Sequence, residues 1–150
     1  MNIDSDFKIH IPFVEHMGFK MVKFEGGQSE IVYAPKPEHV NSFDVTHGGA
    51  VMTLLDVSMA TAARSLELTM GVVTIEMKTT FMRPTRGPVT ARGTLMHRTA
   101  TMAFMTSTMF DAKGDACAHA TGTFKYVRRN DHNGPPKGAG SGPVGAISTD

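Results

Sequence analysis

A single cysteine, Cys117, stands in a chain of 150 residues. No internal disulfide can form, and a lone thiol fits a reducing, cytoplasmic setting. Cys117 falls in a strand-like stretch with no acid–base partner near it in sequence, so it reads as a small core residue. Tryptophan is absent. So is any run of about 18 apolar residues, which leaves no segment able to cross a membrane as a helix. The opening MNIDSDFKIH is charged and lacks the apolar centre of a secretion signal. Charge of one sign is not in excess either. The formal net charge of +1 gives no electrostatic case for nucleic acid as a partner. The histidines show no ligand spacing such as H-E-x-x-H, so no metal site is expected.

What the chain does have is methionine, 12 of them. Met fills irregular gaps in cores and makes adaptable apolar binding surfaces. Length and an ordinary composition point to one domain. Residues 12–18, PFVEHMG, read as a short helical turn that Gly18 ends. Apolar stretches on either side of Gly26-Gly27 read as a hairpin. PKPEHVNSFDVT is a loop with two prolines. A helical apolar segment then runs from His47 to about Ser65. In VVTIEMKTTF, Val73, Ile75, Met77 and Phe81 share one parity, while Thr74, Glu76, Lys78 and Thr80 share the other. That is the pattern of a half-buried strand. VTARGTLMHR, TMAFMTSTMF and ACAHATGTFKYV continue an antiparallel meander of about four strands. From residue 130 to 150 the chain is rich in Gly and Pro and reads as a flexible tail after a domain of residues 1–129. Its GAGSG neither follows a strand nor opens a helix, so it is no phosphate loop.

The segment THGGAVMTLLDVSMATAA raises the functional question. Residues 50–63 are apolar or small on every side, and such a helix should be covered all round. A long antiparallel sheet curling around it would do so. Asp56 is the only ionisable side chain between His47 and Arg64, and burying a carboxylate is costly. The plain structural reading is an acid satisfied by hydroxyls, with Thr53 and Ser58 as candidates. Against it stands the entrance to the helix. Gly48 and Gly49 leave first-turn N–H groups uncovered at the positive end of the dipole, where an oxyanion could be held. Gly49 and Asp56 are about 10.5 Å apart along one helix, too far to share one carbonyl. If both serve one reaction, the acid must come from a second copy. Two antiparallel helices about a two-fold axis would bring each Asp56 to the other's Gly49.

Asn41, then His47-Gly48-Gly49, then Asp56 nine positions after the histidine, resemble the PaaI-type thioesterases of the hotdog fold. TIEMKTTFMRP and PFVEHMGFK agree with the family's order of elements, and the resemblance covers roughly residues 10–128. It implies an α+β hotdog fold, an antiparallel sheet wrapped around one long central helix, assembled as a homodimer or homotetramer. It implies hydrolysis of acyl-CoA thioesters without metal or prosthetic group, CoA being part of the substrate. In that scheme a Gly-Gly N–H polarises the carbonyl, and Asp56 of the opposite subunit is nucleophile or general base. Asn41 positions the thioester or water, and His47 orders the loop or contacts the thioester end. Thr74 stands where some relatives hold the water with a hydroxyl. Its parity turns it toward the subunit boundary and away from the helix. Arg83, His97 and Arg98 fall at strand ends where relatives meet the nucleotide, although solvated surface charges are common there. Met52, Met59 and Phe43 would line an apolar acyl pocket.

Other readings compete. His-Gly-Gly occurs in lipase-like hydrolases, but no G-x-S-x-G elbow is present. A hotdog hydratase would need its Asp and His placed together. A non-catalytic protein binding acyl-CoA or an acyl carrier would share the whole pattern.

Overall fold

The computed structural model describes residues 9–129, so the expected tail at 130–150 lies outside the described residues. Helix α1 spans Pro12–Met17, with proline at its start, where no N–H is needed. It stops at Gly18, whose φ of 74° is the left-handed C-cap that glycine adopts without strain. Strands β1 (Lys20–Glu25) and β2 (Gln28–Tyr33) form the hairpin expected at Gly26-Gly27. A short 3-10 turn, Pro37–His39, opens the loop that leads to helix α2, Gly48–Arg64. Four strands follow: β3 (Met70–Phe81), β4 (Val89–Arg98), β5 (Met102–Asp111) and β6 (Ala116–Arg128).

The six strands make one antiparallel sheet in the order β1-β2-β4-β5-β6-β3. The meander read from the sequence therefore needs correcting. Only β4, β5 and β6 run on as neighbours, whereas β3 pairs with β6 and forms an edge. The turn at Met82–Pro88 carries the chain from that edge back to β2, so β4 completes the sheet from its other side.

Helix α2 lies on the sheet through its small and apolar face. Leu54, Leu55, Met59, Ala62 and Ala63 have no exposed surface. One contact sets how close helix and sheet come. A Cβ on Gly93 of β4 would stand 2.3 Å from the Ser58 carbonyl oxygen, so only glycine fits there. Around it, Ser29 Oγ donates to the Ser58 carbonyl at 2.6 Å, and the hydroxyls of Ser58 and Ser107 are 2.6 Å apart. These buried hydroxyls are satisfied and fix the helix in register on the sheet. The expectation that α2 is covered all round does not hold for one chain. Met52 is 38% exposed, and Asp56, Val57 and Ala60 are only partly covered.

Strand β3 also departs from its sequence pattern. Its register with β6 shifts between Thr74 and Glu76, a β-bulge at Ile75. A bulge inserts one residue and reverses which side chains face inward. Before it, Val72 and Thr74 face the helix; after it, Met77 does. Val73 and Ile75 are 43% and 53% exposed on the other side. The parity that turned Thr74 away from the helix is thus inverted.

Candidate active site

Asp56 sits midway along α2 and is partly buried. Its partner is not Thr53 or Ser58, whose hydroxyls donate to the carbonyls of Gly49 and Leu55, each at 2.8 Å. Instead Thr74 Oγ1 donates to Asp56 Oδ1 at 2.6 Å. Burial raises the carboxyl above its ordinary range, and the Thr74 bond works against that rise. The bond also fixes the carboxylate's rotation and leaves Oδ2 without a partner among the described residues. Both groups line a cavity of about 480 Å³, walled by Ile11, Phe13, Met52, Val57 and Val72 among others. Arg64, stacked on Phe24 at 4.9 Å, and Arg129 also reach this cavity. Sequence reasoning missed both: an arginine in the last turn of a helix looks like an ordinary partner for the helix dipole.

The start of α2 is built by His47. Its ring Nδ1 accepts the Gly49 N–H at 2.8 Å, and its carbonyl accepts from Ala50 and Val51 at 2.9 and 3.1 Å. Among the described residues, the Gly48 N–H has no partner. Of the two donors that the sequence offered at Gly48 and Gly49, the Gly49 N–H is therefore occupied and the Gly48 N–H is open. Asn41 organises the preceding loop. Its Oδ1 accepts the N–H groups of Phe43 and Val45 at 2.9 and 3.3 Å. The loop is closed below by a bridge between Val40 and Thr46. Asn41, Gly48, Phe81 and Arg83 line a second cavity of about 330 Å³.

The chain thus carries two separate clusters of candidate residues. One holds Asp56, Thr74 and Met52; the other holds Asn41, Gly48 and Arg83, with His47 behind it. The remaining residues proposed for substrate contact lie elsewhere. Met59 is wholly buried in the core, its Cε close to Gly122 of β6, and lines neither cavity. Phe43 is 78% exposed at the tip of its loop. Arg98 is paired with Glu67 at 3.0 Å and lies over Tyr126, and His97 is stacked on Phe104. Neither of these two lines either cavity.

The profile of the thioesterase superfamily matches residues 43–118. This span holds the end of the loop, α2, β3, β4, β5 and the start of β6. The chain belongs to that superfamily and is a hydrolase. A Saccharolobus solfataricus protein whose name marks it provisionally as an esterase is 28% identical over 127 residues, which is 84% of this chain and 91% of that one. A solved thioesterase from Haemophilus influenzae superposes with a TM-score of 0.77 at 20% identity, over 89% of this chain and 96% of that one. The E. coli PaaI protein, from the phenylacetic acid degradation operon, gives 0.74 at 17% identity, over 79% and 86%. The fold is the hotdog fold of PaaI-type thioesterases. Among the described residues, no helix is long and apolar enough to cross a membrane.

Proposed function

We propose that this protein hydrolyses acyl-CoA thioesters at a site shared by two copies of the chain. The observation that carries this reading is the placement of two complementary half-sites on one helix. Gly48 and Asp56 are eight residues apart, about 12 Å along α2, so one chain cannot bring both to one carbonyl. The partly open face of α2, with Met52, Asp56 and Ala60, suits a second antiparallel α2. In such a pair the Gly48 N–H of one copy donates to the thioester oxygen, at the positive end of the helix. Asp56 of the other copy, held by Thr74, attacks the carbonyl carbon or takes a proton from the water that does. The tetrahedral centre then collapses, the C–S bond breaks, and the CoA sulfur leaves and is protonated. If Asp56 attacked directly, water hydrolyses the resulting anhydride. The base and the electrophilic donor are both protein groups, and the reading needs no metal or prosthetic group. Arg83, beside Gly48, is placed to meet a phosphate of CoA. The first cavity takes the acyl group.

The test is to incubate the purified protein with a panel of acyl-CoAs and a thiol reagent. Release of CoA for at least one aryl or medium-chain acyl group is expected. Tight binding without release would favour a non-catalytic acyl-CoA or acyl-carrier binding protein.

A further inference from the structure

His39 is buried, 7% exposed, at the foot of the loop that leads to α2. Its Nδ1 receives two donors. Tyr33 Oη stands 2.6 Å away and the Lys36 backbone N–H 3.2 Å away. A backbone N–H can only donate, so Nδ1 is an acceptor and the neutral ring carries its hydrogen on Nε2. Burial pushes the Tyr33 phenol up to about 12, so it too stays a donor. His39 Nε2 is buried with no partner among the described residues. The ring is therefore held entirely through Nδ1.

The same residue joins the fold to the site. The His39 carbonyl accepts the His47 N–H at 2.8 Å, and His47 Nδ1 then accepts the Gly49 N–H. The loop between them carries Asn41. Tyr33 is itself anchored in the core, edge-on to Phe19 at 4.9 Å.

We propose that His39 is a positioning residue: while neutral it locks the base of the loop bearing Asn41, His47 and Gly48, and a proton on Nδ1 releases that loop. Once protonated, Nδ1 would face two donors. The Tyr33 hydroxyl can turn to accept, but the Lys36 N–H cannot. The groups around the ring oppose that proton on balance. His16 of α1 is edge-on at 5.8 Å, and the Lys36 ammonium is tied to the His16 carbonyl at 2.6 Å. Glu38 alone favours it. Burial, then Lys36 and His16, hold the imidazole below its ordinary 6.5. With a depressed native value, the unfolded or released loop binds more protons than the closed one below about 6.5. Closure therefore weakens as pH falls through that window, and is complete above it.

The experiment is hydrogen exchange at the His47 amide, which donates to the His39 carbonyl, from about pH 8 to about pH 5, with Leu55 as a core reference. In the wild type, protection at the His47 amide should fall by up to about tenfold per pH unit below the ordinary imidazole value, while Leu55 holds. In His39→Gln, which keeps an acceptor but takes up no proton, the His47 amide should show no such fall. In Tyr33→Phe, which removes a donor from neutral Nδ1 and brings the native value back toward the ordinary one, the fall should be smaller and should end at higher pH. Flat protection in the wild type would overturn the proposal. So would a parallel loss at Leu55, or a fall that persists in His39→Gln. Kinetics give a second readout that rests on the thioesterase reading. On the acid side, kcat should drop with two protons in the wild type and with one, that of Asp56, in His39→Gln. The exchange result needs no turnover, so a failure of the loop proposal is separable from a failure of that reading.

Discussion

Asp56 and Thr74 illustrate what one hydrogen bond does at residue scale. The carboxylate is held partly out of water, so its native pKa is raised and its ionised form weakens the fold. The sign follows from linkage. Above the ordinary carboxylate value the native state binds more protons than the unfolded one, and stability drops as pH rises. Asp56→Asn should therefore raise the melting temperature at neutral pH, and the gain should disappear below about pH 4. Turnover should fall by about 10² to 10⁴ with substrate affinity largely kept. A folded Asp56→Asn protein with near-normal turnover would remove the carboxylate from the mechanism. Thr74→Val deletes the bond that opposes the rise. The acid limb of the rate profile should then move to higher pH, and Thr74→Ser should bring it back. A profile identical in all three proteins would show that the hydroxyl does not bear on Asp56.

Helix α2 is an element whose two ends obey different constraints. At its start, Gly48 occupies the first helical position, where proline is well tolerated. His47 before it has φ of −59° and ψ of 137°, a conformation that suits the residue preceding proline. A Cβ at Gly48 would meet only the Phe81 ring at 3.5 Å. Gly48→Pro therefore removes the open N–H with little disturbance to the helix. Turnover should fall by about 10² to 10³ while the melting temperature stays near wild type. Full activity in that variant would move the oxyanion donor elsewhere. Further along, the helix depends on Gly93 of the facing strand. Gly93→Ala would drive a methyl into the Ser58 carbonyl, so α2 or β4 must shift. A loss of about 3 kcal/mol is expected in denaturant unfolding, the upper end for overpacking. A loss below about 0.5 kcal/mol, the scale of a surface change, would mean that the close approach is not a constraint.

At the scale of the whole molecule, the proposed shared site predicts a behaviour that no single chain can show. Mixing Asp56→Asn with Gly48→Pro and allowing subunits to exchange gives hybrids with one intact and one doubly damaged site. Half of a random mixture is hybrid, so activity should return to about a quarter of wild type. Each variant alone should remain near background. Continued inactivity, with exchange verified by mass, would place both groups in one chain's chemistry and sink the shared site.

Much of this was legible in residue order. The helix from His47, the hairpin at Gly26-Gly27 and the end of α1 at Gly18 follow from local chemistry: apolar periodicity, paired glycines and a left-handed cap. Asp56 and the Gly-Gly entrance could be picked out because a lone acid and a bare helix start are both costly without a purpose. The pairing of β3 with β6 was not legible, since nothing local distinguishes one apolar strand as neighbour from another. Nor was the side of β3 on which Thr74 points, because a bulge of one residue at Ile75 inverts parity without leaving a mark in composition. The choice of Gly48 over Gly49 as the open donor depended on a histidine ring folding back over its own helix. Sequence by itself determined which groups the chain invests in and where its elements begin and end. Tertiary structure alone decided which of those groups meet, because a hydrogen bond between residues 18 or more positions apart exists only once the sheet has closed over the helix.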